Sequence, residues 1–77
     1  MKQYALTKLI EEAAEVVQSA AKVQLHGRSA EGALVQEMAD LSLILDKMYG
    51  RLSPKQKQLF AEKYEARRDK EDRKGKL

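Results

Sequence analysis

Four carboxylates carry the chemistry this sequence can offer. Glu12 and Glu15 stand three apart, and after an interval of 21 residues Glu37 and Asp40 repeat the spacing. On a helix, side chains three apart project from one face, so each pair presents two carboxylates to the same neighbour. Two of the four also sit where an apolar residue belongs. The steps of three and four in Leu9, Glu12, Val16, Ser19, Val23 and in Leu34, Glu37, Leu41, Ile44, Met48 trace two helical seams. Glu12 and Glu37 interrupt them. An unpaired carboxylate held at a helix interface is costly and needs a cation, a donor or a proton. Basic residues are poorly placed to help, and Asp40 beside Glu37 only adds negative charge. A divalent metal is the economical answer. Four hard oxygen donors favour Mg²⁺, or Mn²⁺, over zinc or copper. A di-iron bundle would call for Glu-x-x-His pairs, and the single histidine, His26, is in none. By itself an ExxE with an ExxD among glutamate-rich helices is a weak motif, open to chance or surface placement. The seam positions of Glu12 and Glu37 are what distinguish it.

The elements that must position these residues are marked by few breakers. Gly27 and Gly50 suit helix ends, and Ser53 before Pro54 suits a helix start, Ser capping free amides and Pro fitting the first turn. Three helical stretches follow, about 2–26, 30–50 and 54–72, with a frayed basic tail at 73–77. No strand pattern or internal repeat is visible. Packed antiparallel across the 27–32 turn, the first two helices bring their carboxylate pairs face to face. About half of the first helix is apolar, with Ile10, Ala14, Val17 and Ala21 beside the seam. One helix pair therefore leaves a side uncovered. The expected fold is all-α: an antiparallel helix pair plus a third helix in a single 1–77 domain, completed as a bundle by self-association into a homodimer or homotetramer.

Composition sets the remaining bounds. Seventy-seven residues permit one domain and a modest core, and 43% hydrophobic with 35% charged residues is ordinary globular usage. The absence of cysteine removes disulfides, thiolate metal sites and cysteine nucleophiles together. Apolar runs are too short for a signal peptide or membrane span, so a cytoplasmic protein with no membrane association is expected. The net charge of +3 is uneven: residues 1–53 hold six basic and seven acidic side chains, and residues 54–77 hold nine and five. An acidic body carries a basic tail.

At these carboxylates a family likeness emerges. Glu11-Glu12-Ala13-Ala14-Glu15, followed by Glu37-Met38-Ala39-Asp40, resembles the EExxE and ExxD signature of MazG-like nucleoside triphosphate pyrophosphohydrolases, a branch of the all-α NTP pyrophosphatase superfamily. The likeness covers residues 8 to 49. It extends to Lys63-Tyr64-Glu65-Ala66-Arg67, similar to a KFxxR element on a later helix, with Tyr in place of Phe and Glu62 where Asn is frequent. An aromatic-rich segment that family members carry ahead of the first motif has no counterpart in the residues before Glu11, which leaves base recognition open. The resemblance implies hydrolysis between the α and β phosphates of a nucleoside triphosphate, giving a monophosphate and pyrophosphate. It implies Mg²⁺ on Glu12, Glu15, Glu37 and Asp40, with Glu12 or Glu15 orienting or deprotonating the water and Glu11 as a supporting acid. Lys63 and Arg67 would meet the outer phosphates, with Lys8 and Lys22 as weaker candidates.

Other residues are expected to do structural work. His26 is placed to favour a helix C-terminus, Met38 and Met48 to fill the core, and Tyr4, Tyr49, Phe60 and Tyr64 to pack. The rival reading is a non-enzymatic helical oligomer that binds nucleic acid or protein through its basic third helix. It leaves Glu12 and Glu37 unexplained, and the acids Glu62, Glu65, Asp69, Glu71 and Asp72 dilute that helix as a nucleic-acid surface.

Overall fold

The computed structural model describes residues 1–75. It holds three α-helices, α1 (Gln3–His26), α2 (Glu31–Gly50) and α3 (Pro54–Lys74), with a short 3-10 turn at Gly27–Ala30 between the first two. No strand occurs among the described residues. α1 stops at Gly27 because that residue takes φ +72°, a left-handed conformation that side chains resist, and its N–H closes on the Val23 carbonyl. Gly50 behaves differently. It stays within α2, which closes through the Arg51 N–H to the Met48 carbonyl at 3.0 Å and the Leu52 N–H to that of Tyr49 at 3.1 Å. α3 starts on a full capping box: the Gln56 N–H donates to Ser53 Oγ at 3.1 Å and the Ser53 N–H donates to Gln56 Oε1 at 2.9 Å, with Pro54 in the first turn. It runs to Lys74 and closes on left-handed Gly75. Of the basic tail, residues 76 and 77 lie outside the described residues.

α1 and α2 pack antiparallel, so the start of α1 (Tyr4, Ala5, Lys8) lines one groove with the end of α2 (Ile44, Lys47, Met48, Arg51). Both seams face this contact: Leu9, Glu12, Val16 and Val23 are half-buried and Ser19 is buried, against half-buried Leu34, Glu37, Leu41, Ile44 and Met48. The seam is all the chain closes. Among the described residues no hydrophobic side chain is fully buried. α3 leaves the hairpin at the Arg51–Ser53 turn and touches it chiefly through its start, where Phe60 meets the Tyr49 ring edge to face at 5.1 Å and Lys57 lies over that ring at 5.4 Å. Tyr64 stacks on Phe60 at 6.0 Å. The result is a thin slab of 42 × 36 × 13 Å.

Two side-chain expectations need correction. Met38 does not fill a core; it is 52% exposed, while Met48 is half-buried in the seam. Tyr4, Tyr49, Phe60 and Tyr64 likewise remain exposed, the last three packed in a row at the surface. The cause is the same for all: they lie off the one contact the chain makes with itself. Ile10, Ala14, Val17, Ala21 and Leu25 form an exposed stripe on α1, and Val35, Met38, Ser42, Leu45 and Tyr49 form one on α2. Because the helices are antiparallel, stripes displaced from the two seams in the same rotational sense fall on the same broad side of the hairpin. Glu15 and Asp40 are displaced the other way, beside Glu12 and Glu37 of the seams.

Candidate metal centre

Glu12 of α1 and Glu37 and Asp40 of α2 each place a carboxylate oxygen within 4.8 Å of the others. The antiparallel seam makes this meeting, since Glu12 follows half-buried Leu9 by three positions and Glu37 precedes half-buried Leu41 by four. One oxygen on each seam residue, Oε2 of Glu12 and Oε2 of Glu37, is shut off from solvent with no hydrogen-bond partner. A buried acceptor in that condition loses its hydration without replacement. Asp40 is exposed and leaves the group open on one side.

Glu15 stands one turn along α1 and joins the group electrostatically. A side-chain hydrogen bond with Glu37, and then the Glu37 charge, push the Glu15 carboxyl above the ordinary carboxylate range. Desolvation, followed by the charges of Glu15 and Asp40, does the same to Glu12, against a smaller opposing pull from Lys8. Both shifts draw on lost hydration and crowded negative charge, which a cation at the cluster would offset.

The other expected residues divide clearly. Glu11 points away and pairs with Lys8 at 3.6 Å. Lys8 thus stands one turn from Glu12, on the carboxylate side. Lys22 is exposed seven residues beyond Glu15, about 10 Å along the helix. Lys63 and Arg67 are not brought to the cluster within one chain. They line an open groove on α3 with Phe60, Tyr64, Arg68, Glu71 and Asp72, and Arg67 is engaged by Glu71 at 2.6 Å. Two residues escaped the sequence reading: Lys47 and Arg51, which share the groove of about 300 Å³ with Lys8 at the open end of the hairpin. Their signal was the run Asp40, Ile44, Lys47, Arg51, whose steps of four, three and four continue the Asp40 face of α2.

The chain matches no family model, no curated protein and no solved structure.

Proposed function

We propose that this chain is a Mg²⁺-dependent nucleoside triphosphate pyrophosphohydrolase of the MazG-like type, cleaving NTP or dNTP to the monophosphate and pyrophosphate in the cytoplasm. The observation that carries the reading is the meeting of Glu12, Glu37 and Asp40 within 4.8 Å with two buried, unpartnered carboxylate oxygens. That donor set fits a hard divalent cation: its oxygens are anionic, they come from two rigid helices, and their unmet demand is for positive charge. Bound there, Mg²⁺ or Mn²⁺ would offset charge on phosphate oxygens and make a water molecule more acidic. Glu12, Glu37 and Asp40 hold the cation. Glu15, one turn along α1 from Glu12, accepts a proton from the attacking water at its carboxylate. Lys8, one turn away, adds positive charge toward the phosphates.

The active form in this proposal is a homo-oligomer. A compact monomer of 8.8 kDa should expose about 4,800 Å², whereas this chain exposes 6604 Å². The excess of roughly 1,800 Å² per copy corresponds to about 3,600 Å² for a pair, within the range of obligate homodimers. The stripes through Val17 and Leu45 carry no charge and lie opposite the carboxylates, so covering them leaves the cluster accessible.

The test is a pyrophosphate-release screen over all ribo- and deoxyribonucleoside triphosphates, with Mg²⁺ and with chelator. At least one nucleotide should be turned over in Mg²⁺ and none in chelator. Release that is absent throughout, or equal in chelator, rejects the reading.

A further inference from the structure

We infer that the groove formed by Lys8, Lys47 and Arg51 is a polyphosphate subsite, which receives the phosphate chain of a nucleotide whose reacting end lies at the carboxylates. The inference deepens the hydrolase reading and rests on it for the identity of the ligand. The groove is lined by Tyr4, Ala5, Lys8, Ile44, Lys47, Met48 and Arg51, with three cationic side chains and no acid among them. Like charges gathered on one concave wall repel one another unless an anion joins them. Lys8 has a loose ion pair with Glu11 at 3.6 Å, and among the described residues neither Lys47 nor Arg51 has a salt bridge. The wall is unsatisfied in the opposite sense to the cluster beside it.

Position makes the two complementary. Lys8 precedes Glu12 by four residues on α1, and Asp40, Ile44, Lys47 and Arg51 follow one face of α2, so the acidic and basic groups form one strip across the hairpin. Asp40 and Lys47 are seven residues apart, about 10 Å of helix rise, a gap that a phosphate chain and a lysine side chain span together. Arg51 offers a planar fork for two phosphate oxygens, and Lys8 and Lys47 act as point charges on either wall. The cations on α3 compete poorly for this task, since Arg67 is already committed to Glu71.

The experiment measures binding of inorganic triphosphate by calorimetry in Mg²⁺, for the parent and for Lys47→Ala, Arg51→Ala, the double variant and Lys55→Ala, a cation outside the groove. Each groove variant should weaken binding at least tenfold, the double variant further, and Lys55→Ala less than twofold. Arg51→Lys should recover part of the loss, and Mg²⁺ binding without phosphate should be unchanged in all. A parent that binds no triphosphate, a double variant that binds like the parent, or equal losses from Lys55→Ala and Arg51→Ala each overturn the subsite. Should Arg51→Ala unfold, Lys47→Gln carries the same comparison. Failure of the two readings is separable. Triphosphate bound through the groove without pyrophosphate release from any nucleotide keeps the subsite and rejects the hydrolase. Turnover with KM unaltered by Lys47→Ala and Arg51→Ala does the reverse.

Discussion

Replacing Glu37 by Gln separates a metal centre from a structural polar contact without knowledge of the substrate. The change keeps shape and removes one charge from a cluster in which Glu12 and Asp40 lie within 4.8 Å and Glu15 adds its charge alongside. In chelator the parent carries the mutual repulsion of these groups, so the variant should melt higher. Mg²⁺ at ten times its dissociation constant stabilises a protein that binds it only when folded by about 1.4 kcal/mol. For a chain of 77 residues, 1 kcal/mol moves the melting midpoint by about 6 °C. The parent should therefore gain about 8 °C in that Mg²⁺ concentration, and Glu37→Gln under a quarter of it. The assay is thermal unfolding by circular dichroism at fixed protein concentration, across a Mg²⁺ titration. The opposite pattern, a variant that melts lower in chelator and responds to Mg²⁺ like the parent, identifies Glu37 as a satisfied structural residue and removes the metal centre.

The raised carboxyls set a pH dependence for the metal-free protein. Glu12 and Glu15 bind protons more tightly folded than unfolded, so stability is lost as pH rises from about 4.5 through their raised folded values, and is regained on acidification. Melting in chelator should rise as pH falls through the raised values toward about 4.5, and a flat or falling curve refutes it; saturating Mg²⁺ should flatten the rise. Val17→Lys, placing charge in the uncovered stripe, should convert the oligomer to monomer in sedimentation and lower its melting point, whereas Gln36→Lys, outside the stripe, should not. Ser53→Ala removes a bond in the capping box of α3 and should cost that helix about 1 kcal/mol, read as faster hydrogen exchange in its first turn with α1 and α2 unchanged. If Lys63 and Arg67 reach the triphosphate from a second copy, replacing either by Ala raises KM or lowers kcat with Mg²⁺ binding intact; indistinguishable kinetics in both make α3 a solvated helix.

How far the sequence could be read depended on whether a signal was local. The seam through Leu9, Glu12, Val16, Ser19 and Val23 is periodic within one helix, and the same residues are the ones that lose exposure. Ser53 with Pro54 caps its own helix and needs no tertiary partner. Gly50 marked the end of α2 correctly, though not by a left-handed turn: it keeps an ordinary φ as the last helical residue, and the chain turns at Arg51–Ser53. Met38 was assigned to a core because apolar periodicity reports a face, not what covers it. Lys47 and Arg51 went unnoticed because cations near a helix end satisfy the helix dipole, a reading that suffices until the opposite helix brings Lys8 into the same groove.

The two broad sides of the hairpin are therefore linked by one energetic constraint. A seam that includes Glu12 and Glu37, each with an oxygen shut off and unpartnered, contributes less than an all-leucine seam of the same length. Such a hairpin gains too little from its own contact to offset the conformational entropy of ordering about 50 residues. Apolar surface that could supply more burial lies on the opposite side, along Ile10, Val17, Leu25, Val35, Met38 and Leu45. In the proposed oligomer, association there would supply rigidity without competing for the polar side, while a cation at the cluster would relieve the seam itself. The two contributions act on the same folded state, so each should raise the apparent strength of the other: Mg²⁺ favours the folded chain that associates, and association preserves the seam that binds Mg²⁺.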